Sequence, residues 1–264
     1  MVALSPQGIY RHLRGGHAFR VEVRGRVAST NDAVAEMARA GAPEGLVVAA
    51  DAQSAGRGSQ GRRYYSPEGA GAYFSVLLRP ADSIARPQLI TAAAAAAVAE
   101  TLEEHTRADI GIKWVNDVFC NGKKVCGILT EGTLDAASGR LAHAVLGIGV
   151  NIATPPGGYP GWLGGEAGAV FDDANYPDDI RNTIVAGILN RFAAYYSDID
   201  SRGFLRVYRE KSIVVGRQVA VTSGGRTRRA RAEGIDDECR LIVRYAGGET
   251  EALAGGRISI EKAD

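Results

Sequence analysis

A short segment rich in glycine and arginine is the part of the sequence best suited to hold an anion. Residues 56–67 read Gly-Arg-Gly-Ser-Gln-Gly-Arg-Arg-Tyr-Tyr-Ser-Pro, with three glycines and three arginines. Glycine lets the backbone approach a ligand closely, and the forked guanidinium of arginine matches the oxygens of a phosphate or carboxylate. This segment, the basic loop, therefore predicts a site for a phosphate or carboxylate substrate. The alternative is a solvated, turn-rich surface loop.

A second segment, running from Ile110 to Glu131, predicts a β-hairpin. Asn121-Gly122 suits the positive φ angles of a two-residue turn, and the apolar flanks predict strands over 110–117 and 123–131. Lys124 then follows the turn directly, on the return strand and close to the end of the outgoing one. The alternative is that Lys124 is an ordinary charge protecting an edge strand.

Regular elements must position these two segments. Hydrophobic periodicity and capping residues predict the following helices and strands. The helices are Pro6 to Leu13, Asn31 to Ala40, Pro87 to Glu104, Asp178 to Tyr196 and Phe204 to Glu210. The further strands are Phe19 to Val23, Leu46 to Ala50, Ala72 to Arg79 and Leu141 to Asn151, followed by Gln218 to Thr222, Arg228 to Ile235, Leu241 to Tyr245 and Arg257 to Glu261.

Four motifs, in order along the chain, resemble those of the biotin protein ligases. The basic loop is similar to that family's Gly-Arg-Gly-Arg-x-Gly-Arg-x-Trp-x-Ser-Pro, and Lys113 to Asp117 resembles its Lys-Trp-Pro-Asn-Asp. Lys124 to Leu129 resembles its Lys-x-x-Gly-Ile-Leu, and Ser29-Thr30-Asn31 its Ser-Thr-Asn. Four matches in the right order are far more specific than any one of them. The resemblance covers nearly the whole chain.

The resemblance implies an α+β fold. Its core is a mixed β-sheet of the class II aminoacyl-tRNA synthetase and biotin ligase type, flanked by helices, with a small C-terminal SH3-like β-barrel. The 264 residues, 45% of them hydrophobic, are enough for one sizeable core and a small appended domain. From residue 216 onward the pattern changes to short β segments. We therefore predict a biotin- and ATP-binding catalytic domain over 1–212 and a barrel over 213–264.

The resemblance also implies which residues form the site. Those implied around biotin are Ser29, Thr30, Asn31, Gln53, Gly56, Arg57, Gly58, Ser59, Lys124 and Gly127. Those implied around ATP and the adenylate are Arg57, Arg62, Asn116, Asp117, Asn151 and Trp162, with Asp117 also a candidate ligand of Mg²⁺. Some of these residues have simpler alternative roles. Ser29 and Thr30 suit the N-cap of a helix, and Asn151 suits a turn. Trp162 lies in a Pro- and Gly-rich loop and is either a lid residue that stacks on adenine or a packing residue.

The chemistry explains why cations are needed in such a site. Biotin's carboxylate must attack the α-phosphate of ATP, and two negative charges about 4 Å apart repel by roughly 4 kcal/mol at an effective dielectric constant near 20. Arg57, Arg62 and Lys124 are the predicted catalytic cations, and Mg²⁺ bridging the phosphates reduces the repulsion further. The product, biotinyl-5'-AMP, then transfers biotin to a lysine of a biotin carboxyl carrier domain.

The chain departs from the family pattern at three positions. Ser59 stands where the family usually has a second arginine close to the biotin carboxylate, so one cation of the anionic cradle is absent. Either the remaining cations suffice, or the intermediate is held more loosely, leaks and labels lysines indiscriminately. Tyr64 in place of tryptophan and Val115 in place of proline keep an apolar body.

Composition excludes several other classes of protein. Cys120, Cys126 and Cys239 show no metal-ligand or disulfide spacing, so we predict reduced packing thiols. The net charge of +1, and only 28 residues ahead of Ser29, argue against a DNA-binding repressor. Neither a signal peptide nor a membrane-spanning run is apparent, so a cytoplasmic protein is expected, as either a monomer or a homodimer.

Two alternative functions remain at this point. Lipoate- or octanoate-type ligases and transferases resemble the same fold and use a lysine in a similar place, but they lack the paired Gly-Arg loop and the Lys-Trp-x-Asn-Asp segment. The second alternative is a non-catalytic biotin-binding sensor that has lost its ligase activity through the change at Ser59. This alternative predicts biotin binding without ATP turnover. Biotin-dependent exchange of pyrophosphate into ATP separates the second alternative from a ligase.

Overall fold

The computed structural model describes residues 2–15, 19–80, 87–135, 141–171, 176–223 and 225–261. Its helices are α1 Pro6–His12, α2 Thr30–Arg39, α3 Pro87–His105, α4 Ile180–Ser197 and α5 Phe204–Glu210. The strands of the larger part are β1 Arg20–Val27, β2 Leu46–Gln53, β3 Gly71–Leu78, β4 Ile110–Lys113, β5 Asp117–Cys120, β6 Lys123–Leu134 and β7 Leu141–Asn151. The C-terminal part has β8 Gln218–Ser223, β9 Arg226–Ile235, β10 Leu241–Tyr245, β11 Thr250–Leu253 and β12 Arg257–Ile260.

The larger part is built on a seven-stranded sheet in the order β1-β2-β3-β7-β6-β5-β4. The β1 and β2 strands run parallel and the other neighbours antiparallel, so the predicted mixed sheet flanked by helices is confirmed. Alternate residues of a strand face opposite ways. Val47 and Ala49 therefore join the core on the side of α3 and α4, while Leu46 and Val48 join a smaller core beside α2. The alanine run 92–97 is wholly buried and lets α3 pack closely.

The predicted strand over 110–117 is wrong, because the chain reverses direction within it. The β4 and β5 strands are separate and pair antiparallel, with Lys113 opposite Asp117. The indole of Trp114, in the turn between them, is buried and donates a hydrogen bond to the carbonyl of Cys239 at 2.9 Å. An apolar run does not distinguish one strand from two, whereas burial of Trp114 against the C-terminal part does. The Asn121-Gly122 turn is confirmed, with φ angles of 47° and 74°.

The C-terminal part is a five-stranded antiparallel sheet in the order β11-β10-β9-β8-β12. Its position after the seven-stranded sheet agrees with the predicted small β domain. The predicted barrel does not close among the described residues, because β11 and β12 are edge strands with one neighbour each. The β11 strand, Thr-Glu-Ala-Leu, was not predicted, since it has no alternation of apolar and polar residues. Within the described ranges, no helix is both long enough and apolar enough to cross a membrane.

Candidate active site

A cavity of about 570 Å³ opens between the basic loop, the start of α2, the strands β6 and β7, and the loop that follows β7. All of the residues predicted for the site except Gly56 line it. Gly56 is buried beneath the loop, where a Cβ would lie 2.6 Å from the carbonyl oxygen of Tyr64. The structure therefore gives Gly56 a role in folding the loop, since any side chain at that position would disturb it.

Short polar side chains form the end of the cavity nearest α2. Ser29 caps the helix, its hydroxyl accepting from the backbone N–H of Asp32 at 3.4 Å. The N–H and hydroxyl of Thr30 both donate to Oε1 of Gln53, at 2.8 and 3.2 Å. The Nε2 group of Gln53 donates to the hydroxyl of Ser66 at 2.8 Å. Gln53 is thereby held with its amide at the cavity wall, where it is suited to meet a urea-like group.

Asn31 is held in one orientation by residues from three strands. Its Oδ1 accepts from the buried Ser75 hydroxyl at 2.6 Å, and its Nδ2 donates to Oε2 of Glu131 at 2.6 Å. Gly147 lies directly against it, since a Cβ there would be 2.1 Å from Oδ1 of Asn31. These contacts order the amide before any ligand binds, which limits the entropy that binding must remove.

Tyr64 closes the floor of the cavity. Its ring lies over Gly127 and Gly149, where added Cβ atoms would come within 2.8 and 2.5 Å of the ring. Burial, followed by the nearby Cys126, raises the pKa of Tyr64 well above its usual value, so the phenol stays protonated. Its hydroxyl donates to the carbonyl of Gly149 at 2.7 Å and lies 3.3 Å from Oδ1 of Asn151.

Lys124 and Asp117 form an ion pair in the cavity wall. Nζ of the lysine lies 2.6 Å from Oδ1 of the aspartate, and the two side chains are 26% and 15% exposed. The backbone of Lys124 also fixes the loop after β7: its N–H donates to the carbonyl of Glu166, and its carbonyl accepts from the N–H of Gly168. The predicted proximity of Lys124 to the outgoing strand is confirmed, with the aspartate as its partner.

The two predicted arginines of the basic loop have different partners. The guanidinium of Arg57 lies between the carboxylates of Asp32 and Glu131, each 2.8 Å from Nη2. Arg62 instead folds back on its own loop, with Nη2 2.9 Å from the hydroxyl of Ser59 and Nε 3.2 Å from its carbonyl. Two carboxylates therefore compensate the charge of Arg57, while the side-chain partner of Arg62 is neutral.

The two asparagines predicted to bind the nucleotide, Asn116 and Asn151, both donate side-chain hydrogen bonds to backbone carbonyls. Asn116 donates from Nδ2 to the carbonyl of Ile128 at 2.7 Å. Asn151 donates from Nδ2 to the carbonyl of Gly168 at 3.0 Å, so it ties the end of β7 to the following loop. These contacts shape the cavity whether or not the same side chains also meet a ligand.

Trp162 stands at the cavity mouth with 55% of its surface exposed. It lies edge-on to Tyr65, with ring centroids 6.4 Å apart, and the guanidinium of Arg63 is 5.8 Å from its ring. An exposed aromatic side chain held at a cavity mouth presents a face to a planar ligand. A second cavity of about 230 Å³ shares Ser59, Arg62 and Lys124 with the first and extends to β12.

Comparison with known proteins places the chain in a family. Residues 23–151 match the biotin/lipoate A/B protein ligase family, and residues 214–260 match the biotin protein ligase C terminal domain. The chain is 33% identical over 239 residues to the bifunctional ligase/repressor BirA of Bacillus subtilis, covering 89% of this chain and 72% of that protein. It is 32% identical over 237 residues to the biotin--[acetyl-CoA-carboxylase] ligase of Paracoccus denitrificans, covering 84% and 93%. This chain belongs to the biotin protein ligase family.

Solved structures support the fold of this biotin ligase. The Aquifex aeolicus biotin protein ligase in complex with biotin and ATP superposes with a TM-score of 0.76 at 24% identity, over 92% of this chain and 99% of that one. The Leishmania major biotin protein ligase in complex with biotinyl-5-AMP superposes with a TM-score of 0.52 at 26% identity, over 88% and 98%. The predicted family and fold class are thus confirmed, and the lipoate- or octanoate-type alternative is not favoured.

Some residues that hold cavity-lining side chains in place were not identified from the sequence. Ser66, Ser75 and Glu131 hold Gln53 and Asn31, yet no motif predicted that contact. A serine inside the apolar strand β3 was the available signal for Ser75, because polar groups are buried only with hydrogen-bond partners. No group of three or more His, Cys, Asp or Glu side chains able to hold a metal occurs among the described residues.

Proposed function

We propose that this ligase activates biotin with ATP to form biotinyl-5'-AMP and then transfers biotin to a lysine of a biotin carboxyl carrier domain. The observation that carries the proposal is a single cavity bearing polar groups at one end, Lys124 and Arg62 along its wall, and an exposed tryptophan at its mouth. The ATP and biotin substrates agree with the family. The carboxylase partner agrees with the names of relatives such as the Paracoccus enzyme.

We assign the ureido ring of biotin to the polar end of the cavity. Ser29, Thr30, Asn31 and Gln53 offer short donors and acceptors there, and Asn31 is already ordered by its neighbours. A ring bound at this end directs the valeryl carboxylate along the cavity. The adenine ring is assigned to the mouth beside Trp162, with Asn151 at the end of β7 nearby.

The first step forms a bond between a carboxylate oxygen of biotin and the α-phosphorus of ATP, while the bond to pyrophosphate breaks. Lys124 and Arg62 reduce the repulsion between the two anions, and Gly58 allows the loop backbone to come close. Arg57 holds the basic loop to α2 and β6 through its two carboxylate partners. We therefore assign Arg57 a positioning role in addition to the proposed contact with the adenylate.

Asp117 would be the protein ligand for Mg²⁺ bound with ATP, and the ion would supply charge neutralisation for the leaving pyrophosphate. It usually keeps several waters and takes only one or two protein carboxylates together with phosphate oxygens. Asp117 suits this limited role, because one of its oxygens is committed to Lys124. In the second step the amine of the carrier lysine attacks the acyl carbon and AMP leaves.

The test is biotin-dependent exchange of labelled pyrophosphate into ATP, run with Mg²⁺ and with or without a carrier domain. We expect exchange only with biotin present and labelling of the carrier lysine when the domain is added. Biotin binding without exchange would instead favour a biotin sensor. Light scattering of the same samples distinguishes a monomer from a homodimer. We propose that the protein acts in the cytoplasm, where ATP is available.

A boundary near residue 213 is proposed between the catalytic part and the C-terminal sheet. Limited proteolysis that first cuts between α5 and β8 would support this boundary. Stable fragments divided elsewhere would contradict it.

A further inference from the structure

The backbone between Gly58 and Arg62 forms a tight turn that returns the chain onto itself. Gln60 and Gly61 both have positive φ angles, 58° and 72°, which reverse the direction of the chain. The N–H of Gly58 donates to the carbonyl of Arg62 at 2.7 Å, and the N–H of Arg62 to the carbonyl of Ser59 at 3.3 Å. The turn therefore brings residue 62 back beside residue 59.

The Arg62 side chain completes the turn. Nη2 donates to the hydroxyl of Ser59 at 2.9 Å and Nε to the same residue's carbonyl at 3.2 Å. Two bonds from one planar group set both its position and its orientation. A serine at position 59 supplies an acceptor here, whereas an arginine would supply a second positive charge.

The Ser59 contact leaves the charge of Arg62 available. Within the described ranges, Arg62 forms no ion pair with a carboxylate, whereas Lys124 is paired with Asp117. A hydroxyl accepts a hydrogen bond without cancelling the charge of the donor. Ser59, Arg62 and Lys124 line both cavities, as do the carboxylates Asp117 and Glu166. An oriented cation without an ion pair among the described residues therefore stands on the wall that the two cavities share.

We propose that Ser59 is a positioning residue for adenylation, whose hydroxyl holds the guanidinium of Arg62 toward the shared wall where carboxylate and α-phosphate meet. This inference rests on the proposed function. It also offers a physical account of the departure at position 59, since the serine orients one cation where the usual arginine would add another. Ser59 acts through Arg62, so its effect must disappear when Arg62 is absent.

The test is a double-mutant cycle in the full-length protein, measured by biotin-dependent pyrophosphate exchange. We expect Ser59→Ala to lower kcat about ten-fold, the typical effect of losing one hydrogen bond to a charged group, with little change in the KM for biotin. Ser59→Thr keeps the hydroxyl and is expected to retain most of kcat. In an Arg62→Ala background, Ser59→Ala is expected to cause no further loss. Ser54→Ala, two residues before the basic loop and outside both cavities, is the matched control.

Equal losses from Ser59→Ala with and without Arg62 would overturn the inference while leaving the proposed function intact. A Ser59→Thr variant as slow as Ser59→Ala would do the same. A wild-type protein with no biotin-dependent exchange would overturn the proposed function, and this role with it. The Nη NMR signals of Arg62 give a readout independent of turnover: they are expected to shift in Ser59→Ala, because Nη2 bonds the hydroxyl that is removed, and unchanged signals would contradict the contact.

Discussion

Replacing Lys124 with methionine removes the cation that the structure pairs with Asp117 in the cavity wall. Nζ lies 2.6 Å from Oδ1, and both side chains are mostly buried. Two unit charges about 4 Å apart interact by roughly 4 kcal/mol at an effective dielectric constant of 20. Loss of such a cation beside the reacting anions is expected to slow pyrophosphate exchange by about 10²- to 10³-fold.

The same substitution affects stability through the aspartate. A carboxylate that is only 15% exposed loses its counter-charge, which is expected to cost about 1 to 3 kcal/mol in the free energy of unfolding. Adding Asp117→Asn to Lys124→Met removes the unpaired charge. The double variant is therefore expected to recover much of the lost stability while exchanging pyrophosphate no faster than Lys124→Met.

Two measurements on the wild type and both variants separate these effects. Exchange is measured at saturating biotin and ATP, and unfolding is followed in urea by circular dichroism. Near-normal exchange in a folded Lys124→Met variant would refute the catalytic assignment. Equal stability of the single and double variants would refute the argument from the ion pair.

Three further predictions concern the cavity wall and the core. Gly147→Ala places a Cβ 2.1 Å from Oδ1 of Asn31, so we expect the KM for biotin to rise at least about ten-fold. The control Gly25→Ala adds a Cβ at an open site and is expected to leave this KM unchanged. An unchanged KM in Gly147→Ala would contradict the placement of the ureido ring. Tyr64→Phe keeps the ring but loses the hydrogen bond to the carbonyl of Gly149 in β7. This loss is expected to lower the free energy of unfolding, measured in urea, by about 1 kcal/mol. An unchanged free energy of unfolding would show that this hydrogen bond does not stabilise the fold. Burial, with two nearby arginines, lowers the pKa of His143, so the unfolded chain binds its proton more readily. Stability from this group is present above the unfolded pKa of about 6.5 and is lost as the pH falls through the folded value, so a His143→Gln variant should lose less stability than wild type between pH 8 and 5.5.

Local sequence patterns were sufficient to predict the position of many helices and strands of this ligase. The predicted strand Leu141 to Asn151 and helix Phe204 to Glu210 have the observed bounds of β7 and α5. In residues 141–151 an apolar run ends at Asn151, and in residues 204–210 the apolar residues recur at helical spacing. The order of the four motifs likewise identified the family, because residue types at fixed spacing need no knowledge of packing. The same motifs led to a set of site residues of which all but Gly56 line one cavity.

Side-chain partners depended on the tertiary structure. Asn31 meets Glu131 across 100 residues of sequence, and Trp114 meets the carbonyl of Cys239 across 125. No local pattern records such a contact, because the sheet order and the placement of the C-terminal part decide which residues become neighbours. The reversal at Trp114 has the same cause, since burial against a distant element outweighed the local preference for a continuous strand.

The division between the two sources of information is clearest for the cations. Residue types alone determined that Arg57, Arg62 and Lys124 could attract a carboxylate and a phosphate. Only the folded chain decided that Asp32 and Glu131 compensate Arg57, while the hydroxyl of Ser59 orients Arg62 without neutralising it. Charge belongs to a residue type, but the field that a substrate meets depends on which neighbours the fold places around that charge.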